Sequence, residues 1–166
     1  YCGRKGWSSE KFDDEVRLAP ERQVRWAAPN RAWFADHAQT YGITLATHDD
    51  TTAAHVDEAA GLGATMSEFP TTLAAARRAR DLGLATVAGA PNVVRGGSHS
   101  GNVSALELAR EGLLDALSSD YVPSCLLQAA WMLMREAHHS PSRAVALVSS
   151  SPAWACGLRD RGEIAL

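Results

Sequence analysis

One stretch limits the fold more than any other: Ile43-Thr44-Leu45-Ala46-Thr47-His48-Asp49-Asp50-Thr51-Thr52. An apolar, β-branched run stops abruptly on a histidine and two aspartates, and a helical pattern follows. A buried parallel strand delivers polar side chains to the mouth of an α/β fold in this way. Residues 64–70, 85–92 and 114–120 repeat the plan, each a short hydrophobic segment finishing on Glu68, Asn92 or Asp120. The rest of the chain spaces these four strand ends.

Between the strands, apolar residues recur at helical spacing. Thr51 or Thr52 can cap a helix that carries Val56 and stops at Gly61. Thr71-Thr72 precede a second helix ended by Gly83, and Asn102 or Ser104 starts a third that ends at Gly112. Pro123 opens a fourth through Met134, and a last helix covers about residues 141–149. Upstream, Pro20 fits the first turn of a long helix running to Gln39, which Pro29 is expected to kink or split. Residues 91–102, with Arg95, Gly96, Gly97, Ser98 and His99, read as a long polar loop.

Strand and helix alternate, so parallel pairing through right-handed crossovers follows. Two architectures fit: an open doubly wound sheet, or part of a (β/α)₈ barrel, which four βα units cannot close alone. The chain's 166 residues, 46% of them hydrophobic, can bury one sizeable core.

Composition removes several function classes. A net charge of -3 gives no electrostatic case for nucleic acid or an anionic membrane. No apolar run approaches a membrane span. No Gly-x-Gly-x-x-Gly turn or phosphate-binding Gly-x-x-x-x-Gly-Lys-Ser/Thr motif is present, so the nucleotide-binding readings lose their support. The cysteines, Cys2, Cys125 and Cys156, are odd in number and lack metal-type spacing, which favours a reducing cytoplasm over a disulfide framework. The chain opens on Tyr1 rather than methionine, and a strand is expected to begin near Ile164. Both ends read as cuts in a longer protein.

His48, Asp49 and Asp50 together offer an imidazole nitrogen and two carboxylates, the donor set of a zinc- or manganese-type hydrolytic centre. The plainer reading makes Asp50 a helix cap beside an incidental histidine. Asp120 either caps the Pro123 helix or, with His48, serves a metal-bound water as its base. Glu68 is either a ligand or second-layer base, or a solvated rim residue. In the loop, glycine backbone N–H groups at Gly96 and Gly97 can converge on an anion. Asn92, Arg95, Ser98 and His99 add polar and charged donors, the makings of a phosphate or phosphonate clamp. His55, His37 and the His138-His139 pair read as helix-surface or helix-end residues.

The segments Thr47-His48-Asp49-Asp50-Thr51-Thr52, Ser67-Glu68-Phe69-Pro70-Thr71-Thr72, residues 89–104 and Ser118-Ser119-Asp120-Tyr121-Val122-Pro123 resemble those of a known family. It is the PhnM family, the α-D-ribose 1-methylphosphonate 5-triphosphate diphosphatases of the carbon–phosphorus lyase pathway, within the amidohydrolase superfamily. The resemblance runs in order along the whole chain, and the glycine-arginine-histidine stretch makes it specific.

It implies the C-terminal half of a (β/α)₈ barrel, with residues 1–166 a partial metal-dependent hydrolase domain. The barrel's N-terminal half and the final strands of a neighbouring sandwich would lie outside. It implies a divalent metal of zinc or manganese type, His48 and Asp120 as ligands, and Asp120 as the base. Asp49, Asp50 and Glu68 are further ligand or second-layer candidates; many relatives have histidine on the strand where Glu68 stands. The implied partner is a phosphorylated small molecule, with oligomerisation left open. The first strand's His-x-His is absent from these residues, so this chain alone supplies half a metal site. Two alternatives stay open: a sister amidohydrolase cleaving a C–N bond, such as a deacetylase or deaminase, or an inactive anion-binding fragment.

Overall fold

The computed structural model describes residues 6–98 and 101–164, and the chain divides into two compact units, Tyr1–Ile43 and Thr44–Leu166. The first unit is built on helix α1 (Ser9–Tyr41). The Ser8 side chain accepts the Lys11 N–H at its start, and Gly42, with φ of 62°, closes it through bonds to Ala38 and Gln39. Both Pro20 and Pro29 lie inside α1, so the expected start at Pro20 and break at Pro29 do not occur. Each proline removes one backbone bond. Alanine, arginine and glutamate neighbours propagate the helix well enough to carry it past both. Along α1, the Trp33 ring stacks on His37 with centroids 3.7 Å apart.

The second unit begins with strand β1 (Leu45–His48) and continues through helix α2 (Ala53–Gly61), β2 (Ala64–Glu68), α3 (Leu73–Asp81) and β3 (Ala85–Gly89). Helices α4 (Ala90–Arg95) and α5 (Ala105–Arg110) come next, followed by β4 (Ala116–Ser118), α6 (Cys125–Glu136), α7 (Pro141–Ala146) and α8 (Ser150–Ala155). Thr52, Thr72 and Ser104 cap α2, α3 and α5 with their hydroxyls. The last helix expected from sequence, about residues 141–149, is the shorter α7, and a further, unexpected helix, α8, follows with Pro152 inside it. Residues 161–164 form no strand. Among the described residues no helix is long and apolar enough to cross a membrane.

The four strands pair in parallel in the order β1-β2-β3-β4. Every crossover steps the same way, and right-handed crossovers that never reverse lay their helices on one side of a sheet. No switch of direction occurs within these strands, so the doubly wound alternative lacks its defining feature.

Alternation divides the sheet's side chains. Ser67, Thr86, Ala88 and Leu117 face the helices and are buried. There they meet a core that includes Val93, Leu108, Leu114, Leu133 and Leu147, while Val56, Ala75, Ala79 and Leu84 form a second cluster under α2 and α3. Burying each of these leucines contributes about 1.5–3 kcal/mol. Ala46 and His48, Met66 and Glu68, Val87 and Gly89, and Ala116 and Ser118 take the opposite face.

A candidate site at the C-terminal edge of the sheet

β1 ends on His48, and the backbone turns left-handed at the next residue, Asp49, with φ of 61°. Phe69, directly after β2, repeats this with φ of 54°, as does Asp120, two residues past β4, with φ of 50°. A side chain in this region costs about 1–2 kcal/mol, less for aspartate. Three such residues along one edge mark positions held against local preference. The ladder nonetheless continues one step further: the Asp49 N–H donates to Glu68 O at 3.0 Å and the Phe69 N–H to Val87 O at 2.8 Å. The turns redirect side chains while keeping sheet pairing.

The redirected residues meet around a pocket of about 250 Å³. Asp49, Phe69, Gly89, Asn92, Arg95, Ser98, Asp120 and Tyr121 contribute to its wall, with Gly97 beside them. Arg95 donates from Nη1 to the Tyr121 hydroxyl at 3.3 Å. Two carboxylates, a guanidinium and a phenol therefore line one concavity. The carboxylates supply proton acceptors, and Arg95 and Tyr121 supply donors suited to phosphoryl oxygens.

Phe69 links the two ends of this edge. Its ring meets the His48 imidazole edge-on, with centroids 5.2 Å apart and planes at 78°. Its Cε1 also lies 3.7 Å from the point a Cβ on Gly89 would occupy, and Asp120 Oδ2 lies 3.2 Å from that same point. Asp120 thus leans from the end of β4 across the end of β3. His48 stands on the far side of the sheet edge, three strand spacings of about 4.8 Å from β4. Its Nδ1 is 3.0 Å from Asp49 Oδ2, and both side chains are exposed.

The structure corrects several candidate roles. Asp50 does not face the pocket; its side chain is buried, and its carboxylate accepts from the hydroxyls of Thr47 and Ser67, the latter at 2.8 Å. It brackets the ends of β1 and β2 instead. The stretch expected to be a loop opens as helix α4, with Pro91 in its first turn, so Asn92 and Arg95 are helical. The amide N–H groups of Gly96 and Gly97 donate to Val93 O and Asn92 O, at 3.1 and 3.0 Å. They close α4 and are not turned to an anion. Asn92 Oδ1 accepts the Ala105 N–H at 2.9 Å, tying α4 to the start of α5. Glu68 and His48 do not line the Asp120 pocket; Glu68 borders a separate cavity on the sheet face with Met66, Val87 and Pro152. Asp120 caps no helix: its N–H donates to Ser118 Oγ, and α6 begins beyond Ser124. His99 lies outside the described residues.

Among the described residues no group of three or more His, Cys, Asp or Glu side chains converges as a metal cage requires. His48 and Asp49 pair at one end of the edge and Asp120 sits at the other, with Phe69 reaching toward both. Among the described residues, His48 and Asp120 lie three strands apart and do not converge on one ion.

Phe69, Gly89 and Tyr121 are among the pocket residues to which the sequence reading gave no role. Each had a signal. Phe69-Pro70 directly follows a strand end, Gly89 closes an otherwise alanine- and valine-rich strand, and Tyr121 adjoins Asp120.

No family model matches the chain, and no solved structure matches it. A curated relative does: the alpha-D-ribose 1-methylphosphonate 5-triphosphate diphosphatase of Escherichia coli (strain K12), 51% identical over 158 residues. The resemblance read from the motifs holds. The alignment takes in 92% of this chain and 42% of the relative, so the chain spans less than half of that protein's length.

Proposed function

We propose that this chain forms the C-terminal strands of an amidohydrolase-type (β/α)₈ barrel. The protein it belongs to hydrolyses α-D-ribose 1-methylphosphonate 5-triphosphate to the 5-phosphate and diphosphate, in phosphonate breakdown. The unreversed parallel order with helices on one side supports the barrel, and the 51% identity to a diphosphatase supports the substrate. One observation carries the chemistry: Asp120 shares a pocket with the Arg95–Tyr121 pair at the C-terminal edge of the sheet.

In this reading Asp120 takes a proton from the attacking water as its oxygen bonds to phosphorus. The anhydride P–O bond breaks and diphosphate leaves with that bond's electrons. Arg95 and Tyr121 donate to the phosphoryl oxygens, where negative charge accumulates. A divalent cation of zinc or manganese type would supply Lewis-acid chemistry at this edge. Asp120 would be its ligand in this pocket; His48, three strands away at the other end of the edge, does not reach the same ion, and the remaining donors would come from outside the described residues. The reaction is assigned to the cytoplasm, in keeping with two free cysteines, Cys125 and Cys156.

The test uses the complete gene product. Incubation with the ribose triphosphate phosphonate should release diphosphate, while a panel of N-acyl and amino-heterocycle substrates should not turn over. Turnover of the second group without diphosphate release would assign the site to C–N bond cleavage instead.

A further inference from the structure

We propose that Gly89 is a positioning residue whose missing side chain forms the notch in which the Asp120 carboxylate lies. The inference rests on the reading of Asp120 as the base. Most glycines described here need their residue type for the backbone: Gly42, Gly63, Gly83, Gly96 and Gly112, for example, have φ between 62° and 87°, and nothing stands within 4 Å of a Cβ built on any of them. Gly89 is the reverse case. Its φ of -75° and ψ of 127° suit any residue, so its backbone does not require glycine. Space does. A Cβ there would stand 3.2 Å from Asp120 Oδ2 and 3.7 Å from both Asp120 Cβ and Phe69 Cε1.

The closest of these contacts is tighter than real Cβ atoms normally show, so the carboxylate must retreat by a few tenths of an ångström if a methyl is added. Asp120 is also the neighbour that can move most readily, because it is exposed, whereas Phe69 is half-buried against His48. Gly89 therefore acts on the reaction through Asp120, by letting a residue just past β4 reach over the end of β3.

The experiment compares Gly89→Ala, Asp120→Asn and the double variant in the complete enzyme, with Gly61→Ala as control. Gly61 also has open space around a Cβ and no positive φ, so that variant should keep full activity. Gly89→Ala should lower kcat about tenfold while leaving KM and the melting temperature nearly unchanged, as a sub-ångström displacement of a reacting group does. In the Asp120→Asn background the same change should cost nothing further, because the group it displaces is already disabled.

Full activity in Gly89→Ala, or an equal loss in both backgrounds, overturns the notch while leaving Asp120's role intact. Full activity in Asp120→Asn overturns the reading of Asp120 and the notch with it. Phe69→Leu covers the case of a misfolded single variant. Trimming the ring leaves the 3.2 Å contact with Asp120 Oδ2 in place, so Gly89→Ala/Phe69→Leu should stay about tenfold slower than Phe69→Leu; equal rates would show that the ring and not the carboxylate is displaced, and overturn the proposal.

Discussion

The two edges of the same sheet solve one geometric problem in opposite ways. At the N-terminal edge the chain enters β2, β3 and β4 through turns at Gly63, Gly83 and Gly112, whose φ values are 87°, 76° and 70°. Left-handed backbone there costs almost nothing, because glycine has no Cβ. At the C-terminal edge Asp49, Phe69 and Asp120 hold the same kind of conformation with full side chains. The carboxylates differ too. Asp115, at the N-terminal edge, accepts the Thr86 N–H at 2.9 Å and an Arg80 N–H at 3.1 Å, with Arg143 at 3.9 Å. Asp120 is exposed on a pocket wall. At the N-terminal edge Asp115 joins elements; at the C-terminal edge Asp50 does the same between β1 and β2 while Asp120 faces the cavity, in line with the division of labour in barrel folds.

Substitutions at the two edges should therefore separate activity from stability. The largest effect belongs to Asp120→Asn in the complete enzyme. Turnover should fall by about 10²–10⁴-fold, with circular dichroism and melting temperature unchanged, since the lost group is a proton acceptor and not a packing element. Asp115→Ala should do the opposite. Denaturant titration should show a loss of about 2 kcal/mol as the Thr86 N–H and two guanidinium partners lose their acceptor, with kcat unaltered.

A smaller change is expected from Arg95→Ala. KM for the triphosphate should rise about fivefold, and much of its dependence on ionic strength should disappear. A KM equally salt-sensitive in both proteins would remove Arg95 from substrate binding. The smallest and most direct contrast pairs Gly83→Ala with Asp49→Gly. The first should cost about 1 kcal/mol by forcing a Cβ into left-handed backbone, and the second should gain about 0.5 kcal/mol by removing one. Equal signs in unfolding experiments would mean the edges do not differ as their backbones indicate.

Much of the frame was legible because apolar runs and glycine stops are local signals. The four strands, the capping threonines and Ser104 follow from residue order, although β3 stops at Gly89 and β4 at Ser118, short of the expected ends at Asn92 and Asp120. The loop-like stretch after β3 misled because Pro91 and the glycine pair suggest a turn. Proline in a first helical turn starts α4 instead, and Gly96 ends it. His48-Asp49-Asp50 could not say which carboxylate turns inward. Plain alternation would place Asp50 with His48; the left-handed step at Asp49 sends Asp50 beneath the sheet edge, to Thr47 and Ser67. Gly89 and Asp120, 31 positions apart, become neighbours only through the β3–β4 register that pairs Gly89 with Ser118. A linear pattern carries no trace of that.

The segments beyond β1, β2 and β3 are stitched in sequence. The Thr71 N–H reaches Asp50 O at 2.8 Å, the Val103 N–H reaches Thr71 O at 3.0 Å, and the Ala105 N–H reaches Asn92 Oδ1. A rim sewn in this way cannot let one lip flex while its neighbours stay still. Breathing at the pocket's entrance is a concerted event, and a substrate meets an aperture whose width is set by the weakest stitch rather than by any single side chain.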